Sequence, residues 1–114
     1  MLSIGNPDFS ALPAESSGLG AAKGWGKMLQ GADPASVLAR VKGDFAVAQA
    51  LPDGRVLLAV DRFAIRSLCW RIVDGQIRVA SRADELADDG TPVDPQALFD
   101  YLYFHAIPSP RTVF

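Results

Sequence analysis

The chain has only one cysteine and one histidine among its 114 residues, Cys69 and His105. A lone cysteine cannot form an internal disulfide, and these two ligands are too few for an ordinary zinc site. The 11 basic residues are scattered among 13 acidic ones, so nucleic acid is not an expected partner. No apolar run approaches the roughly 18 residues of a membrane span, and Met1–Pro7 does not resemble a signal peptide. We therefore expect a cytoplasmic protein with no membrane partner.

The residues that are present are typical of a soluble globular domain, with 49% apolar and 21% charged side chains. Two helices are predicted by Asp33-Pro34 and Asp94-Pro95, because aspartate caps a helix and proline suits its first position. We expect the first of these helices to run to Gly43. A third helix, from about Leu19 to Leu29, is disfavoured by its glycines. The expected apolar stripe after Pro95 consists of Leu98, Tyr101, Leu102 and His105.

The segments between the two Asp-Pro signals have the pattern of β-hairpins. Phe45–Leu51 and Val56–Val60 flank a Pro-Asp-Gly turn, and Leu68–Val73 and Gln76–Ala80 flank Asp74-Gly75. With a short strand at Leu2–Ile4, the prediction is an α+β fold whose mainly antiparallel sheet is made of two hairpins packed by helices. The side chains expected in its core are Phe45, Val47, Leu58, Val60, Leu68, Trp70, Ile72, Val79, Leu98 and Leu102.

Two segments carry a resemblance to a known family. Gly43-Asp44-Phe45-Ala46-Val47-Ala48 and Asp61-Arg62-Phe63-Ala64-Ile65-Arg66 stand in the order of the patterns G-x-F-A-x-A and D-R-x-G-x-[KR]-P-L. The chain thereby resembles the N-terminal class II glutamine amidotransferase domain of asparagine synthetases, over roughly residues 34–114. Ala80-Ser81-Arg82 and the Pro108–Phe114 segment match the family's A-S-E segment and linker. The resemblance implies part of the αββα sandwich of N-terminal nucleophile (Ntn) hydrolases. The motif residues to which it gives structural roles are Gly43, Phe45, Asp61, Arg62, Ile65 and Arg66.

The resemblance divides the chain into a shortened irregular segment 1–33, an amidotransferase-like core 34–106 and the start of a linker 107–114. Ala64 and Ser67 replace the glycine and proline of the family's turn. The family's nucleophilic cysteine corresponds to Leu2, and the segments that hold glutamine have no counterpart before residue 34. ATP and Mg²⁺ belong to the family's synthetase domain, whose S-G-G-x-D-S loop is not in this sequence. We therefore expect no catalytic, cofactor-binding or metal-binding residue here.

Three functions are compatible with these residues. The first is a non-catalytic domain that supports an ATP-dependent amide-forming domain, including in peptide modification such as lasso-peptide ring closure. The second is a glutaminase that supplies ammonia for asparagine synthesis, and the third is a standalone protein-binding module. An interface with a synthetase domain, a partner protein or a second copy is expected at Tyr103, Phe104, Ile107, Val113 and Phe114.

The remaining reactive or aromatic side chains have simpler interpretations. Cys69 lies within a predicted strand, where a free cysteine packs as a small apolar side chain. His105 at the end of a helix favours a capping or packing role. Five aromatic side chains are expected to pack in a core or between domains rather than to form a ligand platform: Trp25, Trp70, Tyr101, Tyr103 and Phe104.

Overall fold

The computed structural model describes residues 1–12, 20–31, 33–108 and 111–114. Leu19, the predicted start of a helix, and Ser109-Pro110 in the predicted linker lie outside these residues. The fold is α+β, as expected, but the two hairpins belong to two separate antiparallel sheets rather than to one. The chain forms two compact units, Met1–Leu68 and Cys69–Phe114. Its elements in chain order are β1 (Leu2–Gly5), α1 (Ala21–Met28), α2 (Pro34–Leu38), β2 (Phe45–Ala50), β3 (Val56–Val60), β4 (Cys69–Val73), β5 (Gln76–Ala80), a 3-10 turn (Asp84–Leu86) and α3 (Pro95–Phe104).

The first unit contains an antiparallel sheet in the order β1-β2-β3. The predicted hairpin of β2 and β3 is confirmed, and the Leu51 N–H donates to the Arg55 carbonyl at 2.8 Å to close its turn. In the central strand, Ala46 pairs with Ile4 of β1 on one side and with Val60 of β3 on the other. The predicted N-terminal strand is therefore an integral part of this sheet.

The core of the first unit is centred on Trp25 of α1, which is fully buried. Its ring lies 5.1 Å from the ring of Phe9, edge to face, and 5.1 Å from that of Phe45. One of the glycines that disfavour α1 has a structural reason, because a Cβ at Gly24 would lie 2.7 Å from the Phe9 ring. Val37 of α2 and Val47 of β2 complete the group of deeply buried side chains.

Helix α2 begins as predicted and ends earlier than predicted. The Asp33 carboxylate accepts the Ser36 N–H at 2.9 Å, which satisfies one of the free donors of the first turn. The helix ends at Leu38 rather than near Gly43. The reason is that Lys42 exchanges two backbone hydrogen bonds with Asp8, at 2.8 and 3.1 Å, and must be extended to do so.

The second unit contains the β4–β5 hairpin and α3, and there the predicted core is largely wrong. Trp70 and Ile72 are 57% and 64% exposed, because Arg71 turns the opposite face of β4 toward the Leu86 carbonyl, which it binds at 2.6 Å. In α3 the buried residues are Ala97 and Asp100, not the predicted leucine stripe.

The predicted core residues of both units differ in their exposure. Phe45 and Val47 are buried as predicted, and Leu58, Leu68 and Val79 are half-buried. The exposed members of the predicted core are Val60, Trp70, Ile72, Leu98 and Leu102.

Replacement of Phe45 should test the core of the first unit. Phe45→Ala removes a ring that is only 4% exposed, so we expect a loss of about 3–5 kcal/mol in the free energy of unfolding. Phe63→Ala, at a ring that is 81% exposed, should change it by less than about 1 kcal/mol. Urea unfolding followed by far-ultraviolet circular dichroism measures both variants. Equal losses would show that this core is misplaced.

Candidate functional site

The motif residues meet at a corner of the first unit, where the chain leaves β3. Asp61 is only 5% exposed, and its carboxylate accepts backbone N–H groups from both sides of the corner. Phe63 donates at 2.9 Å, Ile65 at 3.1 Å and Arg66 at 3.4 Å, while Phe45 at the start of β2 donates at 3.3 Å. One side chain thus connects two strands and the loop that follows them.

The hydrogen bonds at this corner determine the acidity of Asp61. Burial alone would raise the pKa of the carboxyl group. The N–H groups of Ile65, Phe63, Arg66 and Phe45 stabilise the charged form instead, and the resulting pKa lies below the ordinary value of 3.8. The carboxylate is therefore ionised at neutral pH and carries no proton to transfer, so its chemistry is that of a structural acceptor.

An ion pair lies beside this carboxylate. The Arg66 guanidinium donates to Asp44 at 2.6 Å, and Asn6 donates to the same carboxylate at 3.4 Å. The Arg66 contact is the main reason that the pKa of Asp44 lies below its usual value. Gly43, with φ +86°, precedes this pair and lies against the Asn6 carbonyl, where a Cβ would collide. Four of the six motif residues, Phe45, Asp61, Ile65 and Arg66, are thus joined by hydrogen bonds at this corner. Gly43 lies beside them, and Arg62 is exposed in the loop.

The loop presents apolar side chains to solvent. Phe63 is 81% exposed and Ile65 is 63% exposed, although their backbone N–H groups are held by Asp61. Ala64 between them has φ +50°, in the left-handed region that favours glycine. The backbone of the corner is consequently held in place, and two of its exposed side chains are large and apolar.

The expected interface residues lie at the end of the second unit, which we call the C-terminal edge: Tyr103, Phe104, Ile107, Val113 and Phe114. Tyr103 and Phe104 are 71% and 62% exposed, and their rings meet edge to face at 4.8 Å. The tail returns to α3, because the Asp94 N–H donates to the Val113 carbonyl at 2.9 Å. Ile107 and Val113 are half-buried and Phe114 is 44% exposed. Tyr103 and Phe104 therefore expose aromatic groups at the C-terminal end of α3, while Val113 lies beside the N-terminal end of this helix.

The residues that could have suggested reactivity are each described by their own local surroundings. Cys69 is a half-buried free thiol at the start of β4. His105 ends α3 in a left-handed conformation, and its backbone N–H donates to the Tyr101 carbonyl at 2.9 Å. Trp25 packs in a core as expected, whereas Trp70 and Tyr101 are exposed. Among the residues that the structure describes, no group of three or more His, Cys, Asp or Glu side chains could hold a metal ion.

One cleft was not expected from the sequence. It has a volume of about 330 Å³ and lies in the first unit beside the C-terminal end of α1. The Gln49 side chain lines it and donates to the Ala50 carbonyl at 3.2 Å, while its buried Oε1 has no partner in the described part of the chain. The sequence feature that could have indicated this cleft is Gln49, the single polar residue in the apolar run of β2. The lining residues are Gly26, Leu29, Gln30, Gln49, Ala50, Leu51 and Pro52.

Comparison with models of known protein families, with curated proteins and with solved structures finds no match for this chain. None of the helices in the described ranges is long and apolar enough to cross a membrane.

The role of Asp61 can be tested by its response to acid. Asp61→Asn replaces an acceptor by an amide that cannot accept all four N–H groups, so we expect the thermal midpoint at pH 7 to fall by roughly 5–10 °C. Because the folded pKa lies below 3.8, this stabilisation is present above that pH and is lost as pH falls through the folded pKa. The difference between wild type and variant should therefore stay constant from pH 7 to about pH 4 and shrink below that, as pH falls from 3.8 through the folded pKa.

The control for this experiment is Asp89→Asn, at an exposed carboxylate in the second unit. It should leave both the midpoint and its pH dependence unchanged. A difference between wild type and Asp61→Asn that stays constant with pH would contradict the proposed role of the charge.

Proposed function

We propose that this chain is a non-catalytic glutamine amidotransferase-like domain that supports an asparagine synthetase-like, ATP-dependent amide-forming domain. Its fold would then be part of an Ntn-type αββα sandwich, with the core at 34–106 and the linker beginning at 107. A cytoplasmic setting and a role in peptide modification, such as lasso-peptide ring closure, fit this proposal. In such a reaction the amine belongs to the substrate, so free ammonia is not needed.

The observation that best supports the family assignment is the backbone at Ala64. The family has glycine at this place in its D-R-x-G-x-[KR] turn, and Ala64 adopts a left-handed conformation that favours glycine. The preceding Asp61 is bonded to the backbone of the same turn. A turn with this conformation and this acceptor gives a physical reason for the aspartate and glycine of the pattern.

The non-catalytic part of the proposal rests on Leu2. In the family, the amine of an N-terminal cysteine activates its own thiol. Leu2 is the first residue of β1, where it pairs with Ala48, and its side chain offers no nucleophilic atom. The carboxylates at the corner are engaged by backbone N–H groups and by Arg66, which favours a structural role for them.

The supporting role rests on the C-terminal edge. Tyr103, Phe104 and Phe114 expose large apolar surfaces close together in sequence and next to the predicted linker. Aromatic side chains are enriched in protein interfaces because they bury much area and lose little conformational freedom. An edge of this kind favours docking onto another protein surface over catalysis.

The chain should not release ammonia from L-glutamine. A missing nucleophile removes many orders of magnitude in rate, so glutamate and ammonia should stay at the level of the blank at pH 7–8. Cys69→Ser should make no difference. Ammonia release that disappears in Cys69→Ser would overturn the non-catalytic assignment and favour the glutaminase alternative.

The docking role can be tested with an asparagine synthetase-type amide-forming domain from the same genome, titrated with the whole chain in a calorimeter. Phe104→Ser and Phe114→Ser should each weaken binding at least about tenfold, as expected for aromatic anchors at an interface. Phe63→Ser is the matched control, since Phe63 is also exposed but lies in the first unit. Absence of binding at about 100 µM of each protein, or equal weakening by all three variants, would contradict the proposed docking.

A further inference from the structure

The cleft in the first unit lies where the central strand of the sheet outlasts its neighbour. The pairing of β1 with β2 reaches Ala48, which lies opposite Leu2, and the last two residues of β2 extend beyond it. The end of α1 forms the other wall of the cleft, with Gly26 and Leu29. Its volume of about 330 Å³ is at the lower end of the range of about 300–1,000 Å³ for small-molecule sites.

Gln49 places an unpartnered polar atom at this cleft. Side chains alternate along a strand, so Gln49 follows Phe45 and Val47 on one face of β2, and both of those are buried. The Gln49 Nε2 donates to the Ala50 carbonyl at 3.2 Å, whereas its buried Oε1 accepts from no group in the described part of the chain. A buried acceptor without a donor is unfavourable, so this atom favours a ligand that supplies one.

The chemistry of the amide group indicates what such a ligand must carry. A glutamine side chain has one carbonyl and two N–H groups, and the Ala50 carbonyl engages one of these. An acceptor and a donor therefore remain side by side. Their complement is a donor next to an acceptor, as on the edge of a ring that contains an amide. Glutamine makes a paired contact of this kind with the edge of adenine.

The rest of the lining favours a small and neutral ligand. None of the residues that line the cleft is charged, so an ionised ligand would lose hydration without gaining a counter-ion. Leu29, Leu51 and Pro52 supply apolar surface for the body of a ring. Because Oε1 is buried, the Gln49 amide turns about its last side-chain bond to meet the ligand, and that torsion has a broad profile.

We propose that this cleft binds a small neutral ring with adjacent N–H and C=O groups, which is the chemistry of a lactam or a cyclic imide. The ring N–H donates to the Gln49 Oε1, and the ring carbonyl accepts from Nε2. Gly26 keeps the site open, because a Cβ at this position would meet no atom within 4 Å. The proposal rests on the cleft and does not depend on the family assignment.

Two rings of equal size test the predicted hydrogen bond. γ-Butyrolactam is titrated from about 0.5 to 50 mM into the isotope-labelled whole chain and followed by proton–nitrogen correlation spectra. We expect saturable shifts at the Gln49 side-chain amide and at the backbone N–H groups of Gly26 and Leu51, with a dissociation constant on the order of 1–10 mM. Cyclopentanone has the carbonyl but no N–H, so it should bind about fivefold more weakly. Absence of saturable shifts, or equal affinities of the two rings, would overturn the proposal.

Variants locate the site without a loss of stability. Gly26→Leu fills the cleft and should weaken lactam binding at least about tenfold, while its thermal midpoint stays the same or rises because leucine favours a helix. Ala22→Leu is the matched control, since Ala22 is exposed one turn earlier in α1 and should leave binding unchanged. Gln49→Met keeps the length of the side chain without its amide, so the preference for the lactam over cyclopentanone should disappear. Unchanged lactam binding in Gly26→Leu, or an unchanged preference in Gln49→Met, would contradict this site.

Discussion

The buried carboxylate of Asp61 determines the path of the chain where it leaves the first sheet. Backbone N–H groups in loops need partners when they are withdrawn from water. Here four of them converge on one side chain, so the loop after β3 has a fixed shape without any regular element. Because Phe45 is among the donors, the same carboxylate also fixes where β2 begins. The sheet and its following loop therefore depend on one charged group that is ionised at neutral pH.

This constraint explains why the corner tolerates an unfavourable backbone at Ala64. An alanine in the left-handed region is less stable than a glycine there by about 1 kcal/mol. The bonds from Phe63 and Ile65 on either side hold the backbone in this conformation and offset that difference. The side chains of the same two residues contribute nothing to the core, since both are largely exposed. The loop is thus shaped by its backbone, and its side chains are free to contact another surface.

The parts of the fold that the sequence predicted well are those with local causes. Asp33 and Asp94 cap helices through bonds to residues two or three positions away, and Asp74-Gly75 closes a two-residue hairpin. Helix α1 was disfavoured because local propensity ignores Phe9, which needs the space that Gly24 leaves. The sequence places the end of α2 too late because that end depends on the pairing of Lys42 with Asp8, a residue 34 positions earlier in the chain.

The orientation of α3 explains why the sequence does not predict which face of this helix is exposed. Its apolar stripe was expected to face inward, since burial of leucine is the usual source of helix packing energy. A half-exposed Arg111 and the buried Asp100 form a pair that rotates the helix instead, and a pattern of apolar residues gives no sign of such a pair. Breaking a largely buried carboxylate away from its partners leaves a charge without compensation, which is more unfavourable than leaving leucines in water. The polar contact therefore decides which face is buried, and the apolar residues are left outward, where a second protein surface can cover them.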